Sequence, residues 1–438
     1  MRKIRGINTP HNKNTESSAV SILPVPAEVH IPMLMHNGAP ARPVVCVGDM
    51  VKVGQLIGEA DGFVSSPVHA SVSGKVKSIN EYDKLTGRKS VTITIESDGK
   101  QTLYEKLTPP VVTNLQEFLT AVRNSGAVGL GGAGYPTAAK LTVKDTKKLE
   151  YILINAAECE PYATSDNRAM IEGAQYVYEG VKLLRKFLQP KKIIICIEDN
   201  KPEAINKMRE RFAGIEDVEI RVLPSRYPTG ERKVLVYNVT GRIVPEGARL
   251  IDVGCLVINC STTAAFARFI STGIPLVQKV VTVDGPAVKT PKNVLAPIGT
   301  PIRELFEFCG GFPYGEPSMI LSGGPMTGAA LPNADMPVVK VTSLVLAFRA
   351  TDFPVNRETA CINCGRCVRN CPIRLMPSSI ETAFNLKKPD ILERYKVNMC
   401  VECGCCAYIC PAKRPLVQVM QLSKKMLKAY KNAKNAER

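Results

Sequence analysis

The chain has 438 residues, 45% of them apolar, enough for roughly three domains of ~150 residues with a buried core, which excludes a disordered chain. No apolar run approaches the ~18 residues a membrane span needs, and no apolar core follows the basic start Met1-Arg-Lys-Ile-Arg-Gly6, so no signal peptide is expected. A net charge of +17 suits an anionic partner (a lipid surface, an acidic protein or nucleic acid), but with no Trp and 6% aromatics base stacking has little to work with, and no nucleic-acid partner is expected.

The first forty residues are polar and then proline-punctuated, ending in Met35-His36-Asn37-Gly38-Ala39-Pro40. From Val44 to Ile95, short β runs alternate with glycines at 48, 54, 58, 62 and 74, which predicts a small β-sandwich of hammerhead type. Ala70–Val76 is similar to the closing hairpin of lipoyl and biotinyl carrier domains. Where those carriers place a modified lysine, this chain has Phe63-Val-Ser-Ser-Pro67, so a docking or structural module is expected rather than a carrier. His36 and His69 lack ligand spacing and are read as ordinary polar contacts.

Asn114 and Glu117 fit the N-cap and N3 positions of a capping box, opening a helix that Gly126 stops. Next comes Gly129-Leu-Gly131-Gly132-Ala-Gly134-Tyr135-Pro136, with Lys140 beyond it. The string satisfies G-x-G-x-x-G but lacks a preceding strand, and Tyr135 stands where a Walker A loop needs lysine. What remains is a glycine loop feeding a helix with Pro136 at N1, whose exposed N–H groups suit a phosphate. Strands are predicted at Tyr151–Ile154, Lys192–Ile197 and Val218–Leu223, and helices at Asp166–Leu188 and Pro202–Phe212. That alternation implies a parallel sheet. The first strand runs into Asn155-Ala-Ala-Glu158-Cys-Glu160-Pro161, at the strand end where open α/β sheets bind ligands. Val280–Leu305 reads as strand, turn, strand, then a helix from Pro301.

Cysteines dominate the last hundred residues. Cys361, Cys364, Cys367, Cys371-Pro372 and Cys400, Cys403, Cys406, Cys410-Pro411 each form a C-x₂-C-x₂-C-x₃-C-P run, the pattern of two-cluster ferredoxins, in which the fourth Cys of each run ligates the other cluster. The expected sets are therefore Cys361, Cys364, Cys367 with Cys410, and Cys400, Cys403, Cys406 with Cys371. Structural zinc is the alternative that C-x₂-C pairs raise; two complete four-Cys runs, each closed by Pro, favour [4Fe–4S]. Cys405 is spare, and the other six cysteines are scattered; cluster thiolates place the chain in the reducing cytoplasm. The spacer Ser378–Tyr395 is expected to be helical. From Pro415 to Lys434 apolar residues recur at helical spacing with lysines in the gaps, as in an interfacial or partner-docking helix.

Gly129–Lys140 followed by Asn155–Pro161 resembles the flavin motif of the NADH-oxidising subunit of respiratory complex I. The order of parts over residues 25 to 420 resembles more closely the RnfC family, the peripheral subunits of Rnf ferredoxin:NAD⁺ oxidoreductases. The resemblance implies a multidomain α/β and α+β fold: hammerhead β-sandwich (1–105), Rossmann-like FMN/NADH domain (106–265), SLBB β-grasp domain (266–340) and ferredoxin-like two-[4Fe–4S] module with basic tail (341–438). It implies FMN contacts at Gly129, Gly131, Gly132, Gly134 and Lys140, flavin-holding Asn155 and Glu158, NADH at Glu160, and an aromatic stacking on the nucleotide at Tyr135. Tyr227 and Glu231 match a further flavin-site segment, and Asn259, Thr262 and Thr263 the last. Ala157 and Arg232 replace two acids of the complex I pattern. The implied activity is hydride exchange between NAD(H) and FMN and single-electron transfer to the clusters, with no side chain as acid or base. The implied setting is peripheral, on the cytoplasmic face of the membrane, with ion-translocating partner subunits and, through them, ferredoxin. A microcompartment-type cobalamin reductase and a non-catalytic Fe–S docking protein are the alternative readings.

Overall fold

The computed structural model describes residues 5–83, 89–143, 145–353 and 357–436. The first four residues of the basic start and the last two of the basic tail lie outside this set.

Residues 28–97 form two antiparallel sheets. Glu28–Pro32, Lys89–Ser97, Gly74–Asp83 and Met50–Val51 make one, and Arg42–Pro43, Leu56–Glu59 and Val68–His69 the other. Val29, Ile31, Ile57, Val68, Val76, Ile93 and Ile95 interlock between them, as alternating strands that bury one face require. The turn that carriers would modify is docked instead. Lys340, buried, donates to Ser66 Oγ (3.1 Å), Pro67 O (2.6 Å) and Gly126 O (2.8 Å), pinning that turn to the segment before the glycine loop. Burial pulls the Lys340 ammonium down to about 7 and, with Lys340 close by, the buried His69 to about 3.

The nucleotide-type domain is a four-stranded parallel sheet in the order Val218–Leu223, Lys192–Glu198, Tyr151–Ala156, Cys255–Asn259. Three of its strands carry long apolar runs because both faces are covered, while the edge strand Val218–Leu223 is interrupted by Glu219 and Arg221. Ile152, Ile154, Ile193 and Ile195 pack on one side; Leu153, Ile194, Cys196 and Val257 pack on the other. Strand order reverses between Tyr151–Ala156 and Cys255–Asn259, which opens a crevice at their carboxyl ends. The expected Asp166–Leu188 helix is two, Ser165–Ile171 and Ala174–Leu188, parted at Gly173. A side chain at Gly173 would lie 2.8 Å from Ala169 O, so only glycine fits that corner. Asn114 caps Leu115–Asn124 as predicted, but Glu117 returns its bond to Thr113 N (2.7 Å) rather than to the cap residue.

A six-stranded sheet follows, ordered Val20–Ile22, Lys292–Pro297, Gln278–Asp284, Leu344–Phe348, Met319–Ser322, Ala329–Leu331. Helix Ile302–Phe308 closes it with Ile302, Leu305 and Phe306; Pro301 is its N-cap. An N-terminal segment thus supplies an edge strand to a sheet built far along the chain, pairing Val20 with Asn293. In the C-terminal module the expected single spacer helix is Pro377–Asn385 and Pro389–Arg394, broken where Lys387 turns left-handed (φ 51°) and Pro389 starts the next helix.

The Lys340 staple gives a pH-dependent prediction. Its folded pKa lies below the unfolded one, so the unfolded chain binds the proton more tightly and stability rises with pH between about 7 and the ordinary lysine range. Lys340→Met removes this term. Urea midpoints of wild type relative to the variant should therefore climb from pH 7 to pH 10; a constant difference would show that burial leaves the Lys340 pKa unshifted.

Candidate functional site

The glycine loop lies at the strand-order reversal. Its inward groups are satisfied by the protein: Leu130 N–H donates to Thr262 Oγ1 (2.9 Å), Thr262 Oγ1 donates to Val128 O (3.1 Å), and the buried Lys279 donates to Leu130 O (3.1 Å). Residues 131–133 face out, exposed. A Cβ on Gly131 would meet Asn259 Nδ2 at 3.1 Å, and Gly132 (φ 100°) has nothing within 4 Å of where a side chain would start. The loop therefore offers bare backbone to open space. The helix after it, Thr137–Leu141, is a single turn with Pro136 as its N-cap, not N1, so its dipole adds little and the loop N–H groups carry the anion-binding character. From that turn Lys140 Nζ donates to Val257 O (3.2 Å). Burial, with Arg232 adding to it, pulls the Lys140 ammonium down to about 8. Arg232 itself lies 4.0 Å from the Glu231 carboxylate.

Asn155 and Asn259 end the two strands that flank the crevice. Asn155 Nδ2 donates to Gly230 O (2.9 Å), tying in the Tyr227–Glu231 segment. Asn259 caps its helix through Thr262 N (3.1 Å), while Nδ2 donates to Asp166 (2.6 Å) and Thr263 Oγ1 donates to Asn259 O (3.0 Å). Glu231 caps Arg232–Thr240 through Lys233 N (2.8 Å) and Val234 N (3.0 Å). Gly129 and Gly134 close the loop on itself, Gly134 N–H donating to Gly129 O (2.9 Å), and the half-buried Tyr135 accepts from Gly129 N–H (2.9 Å).

Three predicted contacts have their side chains engaged within the protein. Glu158, in left-handed backbone (φ 50°), accepts from Asp166 N (2.6 Å) and Asn167 N (3.2 Å) and sits 3.9 Å from buried Lys201. Glu160 accepts the Thr327 hydroxyl and Met326 N–H (3.2 Å), both from the loop after strand Met319–Ser322. Burial pushes both carboxyls above the usual range. Tyr227 is buried and pairs its backbone with Ile7 in both directions (2.8 and 3.1 Å). Sequence reasoning missed what holds the 158–163 turn: Lys13 donates to the carbonyls of Glu158 (2.9 Å), Glu160 (2.8 Å) and Ala163 (2.6 Å). A lysine so far away along the chain carries no motif that could have announced this.

The cysteines ring two cavities. One is lined by Cys371, Cys400, Cys403 and Cys406 with the spare Cys405 beside them, the other by Cys361, Cys364, Cys367 and Cys410. Among the described residues no three His, Cys, Asp or Glu side chains converge tightly enough for one ion. Four sulfurs spread round a cavity suit a cluster better than a lone zinc. The first cavity is apolar, and its loop meets the nucleotide domain: Cys405 and Cys403 pack with Tyr227, Ile7, Met326 and Cys159. The C-terminal helix Leu416–Ala436 turns part of its apolar face into its own module: Met420 and Leu427 join the module core, while Val417 and Met420 line one cavity and Leu416 the other, and Leu422 and Tyr430 stay exposed. Helical spacing showed an apolar face but not what covers it.

Four family models match the chain: the RnfC barrel sandwich hybrid domain (residues 2–100), the Nuo51 FMN-binding domain (122–268), the SLBB domain (280–330) and a 4Fe-4S dicluster domain (353–411). The chain is 43% identical to the C component of the proton-translocating ferredoxin:NAD(+) oxidoreductase complex of Clostridium ljungdahlii, over 84% of this chain and 81% of that one. To the Na(+)-translocating counterpart of Acetobacterium woodii it is 39% identical over 98% of both. To the C component of the ion-translocating oxidoreductase complex of Rhodobacter capsulatus it is 37% identical, over 97% of this chain and 83% of that one. Among solved structures, an NAD+-reducing [NiFe]-hydrogenase in the air-oxidized state aligns with TM-score 0.50 at 21% identity, over 64% of this chain and 54% of that one, a likeness of fold.

The crossed cavities predict crossed damage. Cys371→Ser should disturb the centre at Cys400, Cys403 and Cys406, and Cys410→Ser the centre at Cys361, Cys364 and Cys367, resolved by paramagnetic resonance of each variant; the opposite pairing would refute the arrangement. Truncation after Arg414 should lower iron content sharply, because it opens both cavities. Full iron in the truncated chain would leave the helix a docking role alone.

Proposed function

The chain belongs to the RnfC family, components of ion-translocating ferredoxin:NAD⁺ oxidoreductases, and on that premise we propose that it carries electrons between NAD(H) and two [4Fe–4S] clusters by way of FMN. It does so as the peripheral subunit, on the cytoplasmic face of the membrane, of a complex acting on ferredoxin and NAD⁺ whose other subunits move ions. No helix among the described residues is long and apolar enough to cross a membrane. The match of residues 2–100 to the RnfC N-terminal domain supports this reading over a cobalamin reductase.

The observation that carries the proposal is a convergence. A glycine loop with bare outward backbone and the Lys140–Arg232 cation pair meet at the strand-order reversal, and the neighbouring Tyr227 segment packs on the loop of the apolar cysteine cavity. Bound FMN supplies exchange of an electron pair with the nicotinamide and of single electrons with the clusters. Gly131–Gly134 and Lys140 would hold its phosphate, while Gly129, Asn155, Asn259, Thr262 and Thr263 fix the crevice walls. Glu158 and Glu231 act from behind, holding the turn and helix whose backbone faces the ligand. Tyr135, half-buried beside the glycine loop, would cover the nucleotide, and Glu160 would reach the NADH. Cys371, Cys400, Cys403 and Cys406 would take electrons first, and Cys361, Cys364, Cys367 and Cys410 would pass them outward. No proton transfer by a side chain is needed.

Anaerobic addition of NADH to the flavin-loaded, iron-replete chain should bleach the cluster absorption; flavin reduction without bleaching would refute the route. Gly132→Val should empty the flavin site at unchanged iron content, since the side chain would grow into the ligand's space and its φ of 100° suits only glycine. Glu160→Gln should raise the KM for NADH about ten- to a hundredfold, the loss of one charge-assisted bond of about 1.5–3 kcal/mol, with flavin retained. Joint loss of flavin and stability would reduce Glu160 to a tie to the Met326–Thr327 loop.

A further inference from the structure

The second cysteine run holds one thiol more than its cluster pattern uses. The two runs match position by position, Cys364-Gly365-Arg366-Cys367 in one and Cys403-Gly404-Cys405-Cys406 in the other. The twin positions have opposite surroundings: Arg366 is exposed, whereas Cys405 is 1% exposed. Cys405 opens the short helix Cys405–Tyr408, lines the apolar cavity beside the four predicted ligands, and packs against Ile7 and Tyr227. The walls of that cavity give the thiol its weight. Ile373, Leu375, Val401, Val417 and Met420 have no side-chain proton to donate. The Glu402 carboxylate is an acceptor, already held by Lys424 and Gln421 (3.0 Å). Backbone N–H groups serve two of the ligand sulfurs, Leu375 donating to Cys371 (3.3 Å) and Glu402 to Cys400 (3.4 Å). At Cys403 a side chain does so: the Cys405 S–H is hydrogen-bonded to the Cys403 sulfur, and its other acceptor, Tyr227 O, is 4.0 Å away. Among the described residues lining this cavity, Cys405 is the one non-ligand side chain with a proton to offer.

We propose that Cys405 is a positioning residue for electron transfer, its thiol donating to the ligand sulfur of Cys403 and raising the potential of the cluster nearest the nucleotide domain. The inference rests on the cluster assignment above and gives a role to a thiol that the spacing leaves unused. A cluster gains negative charge when it takes an electron, and dry apolar walls resist that charge. A donor on a ligand sulfur offsets them, because a hydrogen bond strengthens with the charge on its acceptor. A neutral carbonyl at 4.0 Å competes poorly with a ligand thiolate, so the S–H stays turned to the sulfur. The reduced cluster is thereby favoured, which suits a centre that accepts single electrons from a flavin. One electron enters or leaves the cluster; the thiol keeps its proton, and no bond is made or broken. At the outward cluster the twin position holds Arg366 in solvent, so this buried donor is peculiar to the inner one.

The test is redox potentiometry of the full, iron- and flavin-loaded chain, with the two clusters resolved by paramagnetic resonance. Cys405→Ala should lower the midpoint of the cluster at Cys371, Cys400, Cys403 and Cys406. Its reduced-to-oxidised ratio at the wild-type midpoint should fall about tenfold, a shift of about 59 mV for one electron. The outward cluster in the same sample should keep its midpoint, and iron content should stay at the wild-type level. Cys405→Ser, which keeps a proton at that place, should recover most of the shift. An unchanged or higher inner midpoint in Cys405→Ala at full iron content, or equal shifts in the Ala and Ser variants, would overturn the proposal and leave Cys405 a packing residue. If Cys405→Ala loses iron, wild type decides alone. The infrared difference between its reduced and oxidised states should contain a thiol S–H stretch that moves to lower frequency on reduction, and a difference spectrum without one overturns the donor. Absent iron in wild type would instead overturn the cluster assignment on which it rests.

Discussion

Electrons pass between cofactors only where domains bring them close, and here three domains meet at one dry junction. Tyr227 from the nucleotide domain, Met326 from the loop of the six-stranded sheet and Cys403 and Cys405 from the second cysteine run pack together, with Ile7 threaded from the N-terminus. Glu160 closes the junction from the other side by accepting from Thr327 and Met326. Close approach is built into the backbone as well. A side chain at Gly404 would lie 3.0 Å from Met326 O, and one at Gly324 would collide with the Glu160 carboxylate at 2.1 Å. A larger residue at either place would drive the domains apart. The SLBB domain thus touches both neighbours through its Met326–Thr327 loop, the nucleotide domain at Glu160 and the second cysteine run at Cys403 and Cys405.

Buried and half-buried lysines do the remaining assembly. Lys13, Lys279 and Lys340 each send an ammonium into a loop of another segment, 145 to 274 residues away, and bond to backbone carbonyls there. A flexible stem with three donors suits this, since carbonyls at turn apices point in several directions and cannot pair with one another. The arrangement also accounts for part of the positive charge that composition alone assigns to a surface. Burial draws the protons of all three below the ordinary lysine range, so each contact is held against a desolvation penalty.

What was legible in the sequence was what local chemistry determines. Val218–Leu223 was readable to its ends because β-branched residues alternating with Glu219 and Arg221 between polar turns have one reading. The two cysteine runs were readable because spacing alone says which thiols share a loop. What escaped depends on groups far apart in sequence. Nothing local to Asp166–Leu188 says that the turn at Gly173 must bend away from Ala169 O, nor that the helix Leu416–Ala436 folds back over the cavities. Glu158 and Glu160 were visible as acids at a strand end. Their orientation was not, because it is set by Lys13, Asp166 and Thr327.

The two halves of the molecule are prepared for their cofactors in different ways. The glycine loop is held by protein alone: Thr262, Lys279 and the Gly134–Gly129 bond fix its inward groups, so its outward N–H groups stand ready without a ligand. A preformed loop binds without an ordering penalty. The cysteine module has no such independence. Its two runs exchange their fourth cysteines between the cavities, its helices other than Leu416–Ala436 are short, and much of its core is the wall of the cavities: Cys371, Leu375, Cys400 and Met420 belong to both. Removing what fills those cavities removes core, so folding of this module and acquisition of its clusters are one event, as in other small metal-held domains. The crossing has a structural consequence. Each cavity draws three of its predicted ligands from one run and the fourth from the other, so neither is complete without both runs, and the apolar cavity lies against the nucleotide domain.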